Sequence, residues 1–431
     1  MKIKFLEKYN LIFIIFFLSI VLILAFNLLS LNIHSQDKDS IRKVYYADNI
    51  TSTHREVIAL FNKKHRGDIK VIPINLPFTK FTTNERKELL ARSLRSNNSR
   101  IDVFAIDQIW GPRFSKWAVN LDEYFSFSVD EVIVPELLFT CYQSNELKSI
   151  PLYLDMGLFY FREDMLQENC DYPAIVEKLK KSITWNEFIK LSQENFPGQA
   201  TFMFQGNNFE GLICNFIEVM GSEEDKITID KFFEEKAVRT VKFYRDLIHK
   251  YQISPIECTQ FNEVQSYYYS FQKDVPFFRG WVSSIRDSLG FKEYYSQVDK
   301  LGYGSLPHFK GQKPRSVFGG WNLMISNSSD EKEAAATFLK FILSDTVQKI
   351  FYQESVYLPV INSLYENKVV DDYLIKIMKN QGVHRPKIKN YTKYSDILSF
   401  YINKAIKGEM KAREAIGKAR AEIDNYQKEL E

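Results

Sequence analysis

The sequence predicts an α/β protein built from at least two lobes. A chain of 431 residues exceeds what one hydrophobic core usually serves. After an apolar N-terminal run the chain reads strand, helix, strand, helix, strand, the order that builds a parallel sheet. In such sheets ligands sit beyond the carboxyl ends of the strands, which directs attention to the residues that close each strand.

The elements follow in order. Val44-Tyr45-Tyr46-Ala47 reads as a strand, and "TSTHREVIALFNKKHRG" as a helix capped by Thr51 to Thr53, with Val57, Leu60 and Phe61 as its apolar stripe and Gly67 as its stop. "DIKVIPINL" is a second strand and "NERKELLARSLRSNNS" a second helix. "RIDVFAID" is a third strand whose last residue is Asp107, with Trp110 just beyond it. "IPLYLDMGLFYFREDML" is a long apolar strand carrying Tyr153, Asp155 and Tyr160. From "SITWNEFIKLSQENF" to "VRTVKFYRDLIHKY" the pattern is mainly helical, and Thr184 with Glu187 forms a capping box. "LPHFKGQKPRS" reads as a loop or hinge before the strand "VFGGWNLMIS". "SSDEKEAAATFLKFILSDTVQKIF" is an amphipathic helix with Ser328 and Glu331 as a second capping box. The tail "MKAREAIGKARAEIDNY" puts Ala412, Ala415, Ile416, Ala419, Ile423 and Tyr426 on one face and is expected to dock.

Composition excludes several functions. Hydrophobic residues at 45% and charged residues at 26% are ordinary for a globular chain, whereas aromatics at 15%, with 35 Phe and 24 Tyr, are many. A net charge of +3 over 57 basic and 54 acidic side chains gives no field for holding nucleic acid. Cys141, Cys170, Cys214 and Cys258 match no zinc or redox spacing and read as buried thiols with at most one opportunistic disulfide. The six histidines do not cluster with acids, so neither a metal nor a cofactor is expected. Lys2, Lys4 and Lys8 precede an apolar run from Leu11 to Ile33, long enough to span about 30 Å of hydrocarbon. Residues 1–36 are therefore expected to be an uncleaved signal anchor rather than a cleaved signal peptide, with the remainder exported.

The candidate site residues are Asp107, Trp110, Tyr153, Asp155, Glu210, Arg279, Trp281, Trp321 and Arg385, together with Gly319 and Gly320. Taken singly, Trp110 and Trp321 are more often core residues, Asp155 a turn acid and Arg385 a surface cation. Together they pair aromatic faces with carboxylates and guanidinium groups, the combination that apolar C–H faces and vicinal hydroxyls of a sugar require. In "VFGGWNLMIS" the two glycines are expected to clear side chains from the path of a ligand to the backbone and to Trp321. No Ser-His-Asp order and no GxxxxGK[ST] phosphate loop is present. Two carboxylates about 5–10 Å apart suffice for glycosidase chemistry, so that reading stays open here.

From about Arg42 to the C-terminus the chain resembles the extracellular solute-binding proteins of carbohydrate ABC importers, the group that includes maltose- and trehalose/maltose-binding proteins. The resemblance rests on "RIDVFAIDQIWGPRFSKWAVNLDEYF", "IPLYLDMGLFYFREDML", "TWNEF", "FNEVQSYYYSFQKDVPFFRGW", "LPHFKG" and "VFGGWNLMIS" in that order. It implies the type II periplasmic-binding-protein fold, two hinge-connected α/β lobes with a ligand cleft between them. Residues 41–154 with 308–358 would form the N-terminal lobe, and 155–307 with 359–431 the C-terminal lobe. It further implies that Asp107 binds sugar hydroxyls, that Tyr153 and Asp155 lie on a crossing strand and that Glu210 sits at an acid-glycine position. By the same likeness Trp281 stacks on sugar, Gly319, Gly320 and Trp321 form the "GGW" wall, and Arg385 reaches in late from the second lobe. The loop "DNITSTH" lacks the acid that some disaccharide-binding members carry there. The implied role is capture of a di- or oligosaccharide by an extracytoplasmic monomer that serves ABC permease subunits and makes or breaks no bond. The alternatives are an extracytoplasmic sugar sensor for a membrane signalling partner and, behind it, a glycoside-acting enzyme.

Overall fold

The computed structural model describes residues 41–429 apart from 79, 82, 97–99, 170, 222–226, 284 and 286–293. The expected anchor and Cys170 lie outside the described residues.

The first lobe starts as the sequence pattern requires. Strand β1 (Arg42–Asp48) leads into α1 (Ser52–Lys64), where Thr51 caps the His54 amide and Val57, Ile58 and Phe61 are buried. Then come β2 (Ile69–Asn75), α2 (Thr83–Arg95) and β3 (Val103–Asp107), with β2 and β3 both parallel to β1. A short helix, α3 (Pro135–Cys141), precedes β4 (Ile150–Arg162), which is buried along its whole length. The second lobe contributes α4 (Trp185–Asn195), β5 (Phe202–Met203), α5 (Glu210–Met220), α6 (Glu235–His249), α7 (Glu263–Gln272), β6 (Phe277–Trp281) and β7 (Leu301–Gly304). The expected box on α4 is formed, with Thr184 and Glu187 capping one another's amides.

The chain then returns through β8 (Ser316–Ile325), followed by α8 (Lys332–Ile342), α9 (Asp345–Ser355), α10 (Asp372–Gln381), β9 (Gly382–Val383), α11 (Tyr391–Lys407) and α12 (Ala412–Lys428). Ser328 and Glu331 do not form the expected capping box. Helix α8 begins only at Lys332 without a side-chain cap, because the Ser329 hydroxyl takes the Glu331 amide and itself donates to Asp102. Helix α12 docks as expected, burying Ala412, Ala415, Ile416, Ala419 and Ile423 against α11 and α6.

The strands form one nine-stranded sheet with the path β2-β1-β3-β8-β4-β6-β5, β9 joining β8 and β7 joining β4. β4 and β8 are shared between the lobes. The first part of β4 pairs with β8, and its later residues pair with β6 and β7. β8 pairs with β9 at its start and with β3 at its end. Close to these shared strands, backbone hydrogen bonds also join segments that the sequence assigns to different lobes. His308 exchanges backbone hydrogen bonds with Ile183 and Trp185 of the second lobe, and Val360 accepts from Val134 of the first. Aromatic rings fill the second core, where Phe159, Trp185, Phe188, Phe202 and Phe277 pack edge to face or stacked.

Candidate ligand-binding site

The eleven candidate residues lie on the central strands or against them, because the register places them there. Trp321 stands opposite Asp107 on β3 and Tyr153 on β4, Gly319 opposite Asp155, and Gly157 opposite Trp281.

At the carboxyl end of β3, Asp107 turns the chain by accepting the Ile109 amide at 3.2 Å. Arg385 reaches this carboxylate with both terminal nitrogens, at 2.7 and 3.3 Å, and donates to Glu210 at 3.1 Å. Glu210 opens α5 in the second lobe and also accepts from the Tyr391 hydroxyl at 2.9 Å and from the Ser395 hydroxyl. One buried guanidinium thus joins a carboxylate of each lobe. Burial pushes the Glu210 carboxyl above its ordinary range, and the charge of Arg385 works against that push.

The glycine pair of β8 makes room, but for the protein's own groups. A Cβ on Gly319 would lie 2.8 Å from Cζ3 of Trp281. At Gly320, where φ is +120°, a Cβ would lie 2.4 Å from the Tyr153 carbonyl and 2.9 Å from Nε2 of Gln108. That amide nitrogen donates to the Gly319 carbonyl at 2.8 Å. The expectation that the clearance serves a ligand is therefore corrected. The space is taken by an indole on one side and by neighbouring backbone on the other.

Trp281 is held from several sides. Its Nε1 donates to Glu263 at 3.3 Å, its amide donates to the Tyr267 hydroxyl at 3.0 Å, and its carbonyl accepts from Tyr160 at 2.8 Å. The Arg279 guanidinium lies 3.8 Å from the ring centre. Arg279 is itself bound by both carboxylate oxygens of Glu218, at 3.0 and 2.8 Å, and is 1% exposed. Glu218 also accepts the Val317 amide at 3.1 Å, and Gly157 leaves room for this pair, since a Cβ there would lie 2.0 Å from Glu218 Oε1. Arg279 is thus buried over the Trp281 ring with its charge met by Glu218.

The other aromatic group sits on the first lobe. Trp321 meets Trp110 edge to face at 5.3 Å and Phe78 at 5.6 Å. Trp110 is 2% exposed and packs against Phe114, as a core residue would. Between Phe78 and Trp321 lies Arg86, its guanidinium 4.2 Å from each ring centre. Arg86 donates to Asp48 at 3.0 Å, while its Nε and Nη1 are buried without a hydrogen-bond partner. Asp48 closes β1 and also accepts from Tyr46 at 2.5 Å. Burial opposes its charge, yet His54 and Arg86 hold its carboxyl below the ordinary value. Tyr153 stacks on Tyr357 at 3.8 Å. Asp155 accepts the Met156 and Ser283 amides at 2.9 and 3.0 Å and the Ser283 hydroxyl, and burial pushes its carboxyl up to about 6.

Sequence reasoning missed Asp48, Arg86, Gln108, Glu218, Glu263 and Tyr357. Arg86 sits in a charge-rich helix that reads as a solvated face, and Glu218 becomes notable only once β6 is laid beside β4. Only Asp48, at the end of a strand, carried a signal of its own. Among the described residues no group of His, Cys, Asp or Glu could hold a metal, and Cys141, Cys214 and Cys258 are buried free thiols. No helix among the described residues is long and apolar enough to cross a membrane.

With this geometry in place, comparison with known proteins is informative. Residues 47–349 match the family model described as bacterial extracellular solute-binding protein. A "probable ABC transporter-binding protein" of Deinococcus radiodurans is 25% identical over 303 residues, covering 67% of this chain and 69% of its own. Among solved structures, T. maritima MalE3 with maltose bound superposes with a TM-score of 0.75 at 22% identity, over 89% of this chain and 99% of that one. A solute-binding protein from Thermotoga lettingae bound with α-D-tagatose gives 0.75 at 20%, over 90% and 99%. The GacH receptor of Streptomyces glaucescens, described unliganded and with acarbose, gives 0.74 at 17%, over 90% and 98%. These structures share the two-lobe fold, and the family model covers most of the chain, so the chain belongs to the bacterial extracellular solute-binding proteins.

Proposed function

We propose that the protein captures a carbohydrate, a di- or oligosaccharide, between its lobes and delivers it to the permease of an ABC importer. The observation that carries this reading is the Asp107–Arg385–Glu210 bridge, which joins hydrogen-bonding charges of both lobes, with Trp321 opposite Asp107 across the β3–β8 pair. Sugar hydroxyls bind such carboxylates and guanidinium groups in pairs, and sugar C–H faces stack on indoles. The sugars bound by the solved structures and the transporter role in the name of the D. radiodurans relative support the same reading.

In this reading Asp107, Tyr153, Asp155, Glu210, Trp281, Trp321 and Arg385 face the ligand, with Gly319 and Gly320 forming the wall behind them. Arg279 and Trp110 hold that wall from behind. A ligand touching both lobes favours closure by its differential affinity for the closed form. The protein works as a monomer outside the cytoplasm, tethered by residues 1–36, and catalyses no reaction.

The test is a thermal-shift screen of the full chain against mono-, di- and oligosaccharides, followed by calorimetry and product analysis on those that raise the melting temperature. Saturable binding without product is expected. Turnover of any bound sugar would turn the reading to an enzyme, and absence of any shift across the panel would overturn carbohydrate capture.

A further inference from the structure

Helix α2 presents two adjacent cations to different surroundings. Arg86 enters the site between Phe78 and Trp321, whereas the next residue, Lys87, turns to the other lobe. Its ammonium lies 3.7 Å from Asp396 on α11 and donates to Asn84 at 3.3 Å. Asn84 in turn donates to Asp396 at 2.9 Å, 312 residues away along the chain. The Lys87 side chain is only 3% exposed, while that of Asp396 is 41% exposed. A lysine is almost never buried so fully without a partner, and Asp396 is the anion it meets here. Helix α11 belongs to the second lobe, packing on α5, α6 and α12.

We propose that Asn84, Lys87 and Asp396 form a clasp that holds the lobes together and sets how tightly the protein retains its ligand, without touching it. The proposal rests on the two-lobe capture reading for its use, but its physical content is independent of the sugar. When the lobes part, Lys87 regains water and Asp396 loses both partners. Removing Asp396 leaves a buried ammonium with Asn84 as its partner, which favours parting. Because affinity scales with the fraction of competent form, the clasp tunes retention from outside the site. Arg86 and Lys87 are consecutive on one rigid helix, so a shift of α2 that moves one moves the other.

The experiment is amine labelling of the intact ligand-free chain with a small acylating reagent, read by peptide mass spectrometry. In the wild type, Lys87 is expected to react at least tenfold more slowly than Lys181, whose side chain is 75% exposed. Asp396→Ala should raise Lys87 labelling at least fivefold with an unchanged melting temperature, and Asn84→Ala should raise it less. The exchange Asn84→Asp with Asp396→Asn rebuilds the interlobe hydrogen bond and should restore protection. Wild-type Lys87 reacting as fast as Lys181, or equal protection in Asp396→Ala, overturns the clasp. Saturating maltose should slow Lys87 labelling in Asp396→Ala. If it does not, while the other results hold, the clasp stands and capture of this sugar falls.

Discussion

Replacing Gly320 by alanine should be among the most damaging single-methyl changes in this protein. At φ = +120° a residue with a side chain is strained whatever space surrounds it. Here the added Cβ would also lie 2.4 Å from the Tyr153 carbonyl, backbone of the β8–β4 ladder that resists displacement, and 2.9 Å from Gln108 Nε2. Backbone strain of about 1–3 kcal/mol and overpacking of a similar size sum to roughly 3–5 kcal/mol. For a protein of this size, at roughly 1 °C per kcal/mol, that lowers the melting temperature by about 3–6 °C. Gly319→Ala offers the internal comparison. Its Cβ would meet the far edge of the Trp281 ring, so it should cost about 1 kcal/mol and mainly tilt the indole. Urea unfolding of the two variants side by side, followed by tryptophan fluorescence, measures both. A Gly320→Ala protein melting within 2 °C of the wild type, or one no less stable than Gly319→Ala, would refute the account of why this strand carries two glycines.

Other consequences can be measured on the same material. Asp155, pushed up to about 6 by burial, binds its proton more tightly folded than unfolded, so its contribution to stability is full below about pH 4 and is lost as pH rises through 6. Asp155→Asn removes this term, and its stability relative to the wild type should therefore improve by about 2–3 kcal/mol between pH 4 and pH 7.5; a difference independent of pH contradicts the burial argument. Arg385→Met leaves the buried Asp107 and Glu210 carboxylates without their shared cation and should cost about 3–5 kcal/mol at pH 7.5. The loss should shrink as pH falls, because burial raises the Glu210 carboxyl and favours its neutral form, and denaturant titrations at pH 7.5 and at a lower pH decide it. Trp281→Ala and Trp321→Ala should each weaken binding of whichever panel sugar binds best by about 1–3 kcal/mol. Normal calorimetric affinity in both variants would place these indoles in the core.

What was legible in the sequence follows from the range of the forces involved. β1, α1, β2, α2 and β3 were readable because alternation, apolar stripes and caps are local, and Asp107 was readable because strand ends in parallel sheets are where sites form. The capping box of α4 was correct and that of α8 was not, because the Ser328 hydroxyl pairs with Ser326 while Ser329, anchored on the distant Asp102, takes the Glu331 amide instead. Trp281 and Trp321 were noticed as unusual Gly-Trp pairs, but what the glycines accommodate depended on the neighbour across each strand. The ion pair of Arg279 was not legible because its partner, Glu218, lies in an apolar helix whose sequence gives no hint of one. Arg86 and Lys87 were invisible for the converse reason, since a charged helix face reads as solvated until a second lobe covers it.

The sharing of β4 and β8 bears on how such a chain is made. The hydrogen bond from Gln108 to Gly319 joins residues 211 positions apart, and β3 has no neighbour on its β8 side until β8 has been synthesised. Loops of that length must close before the central pairings contribute, which slows folding of this topology. A chain emerging from the ribosome therefore lacks the middle of its sheet until Ser316–Ile325 has been made. The strand that joins the two lobes into one sheet is thus also the piece that holds back their completion.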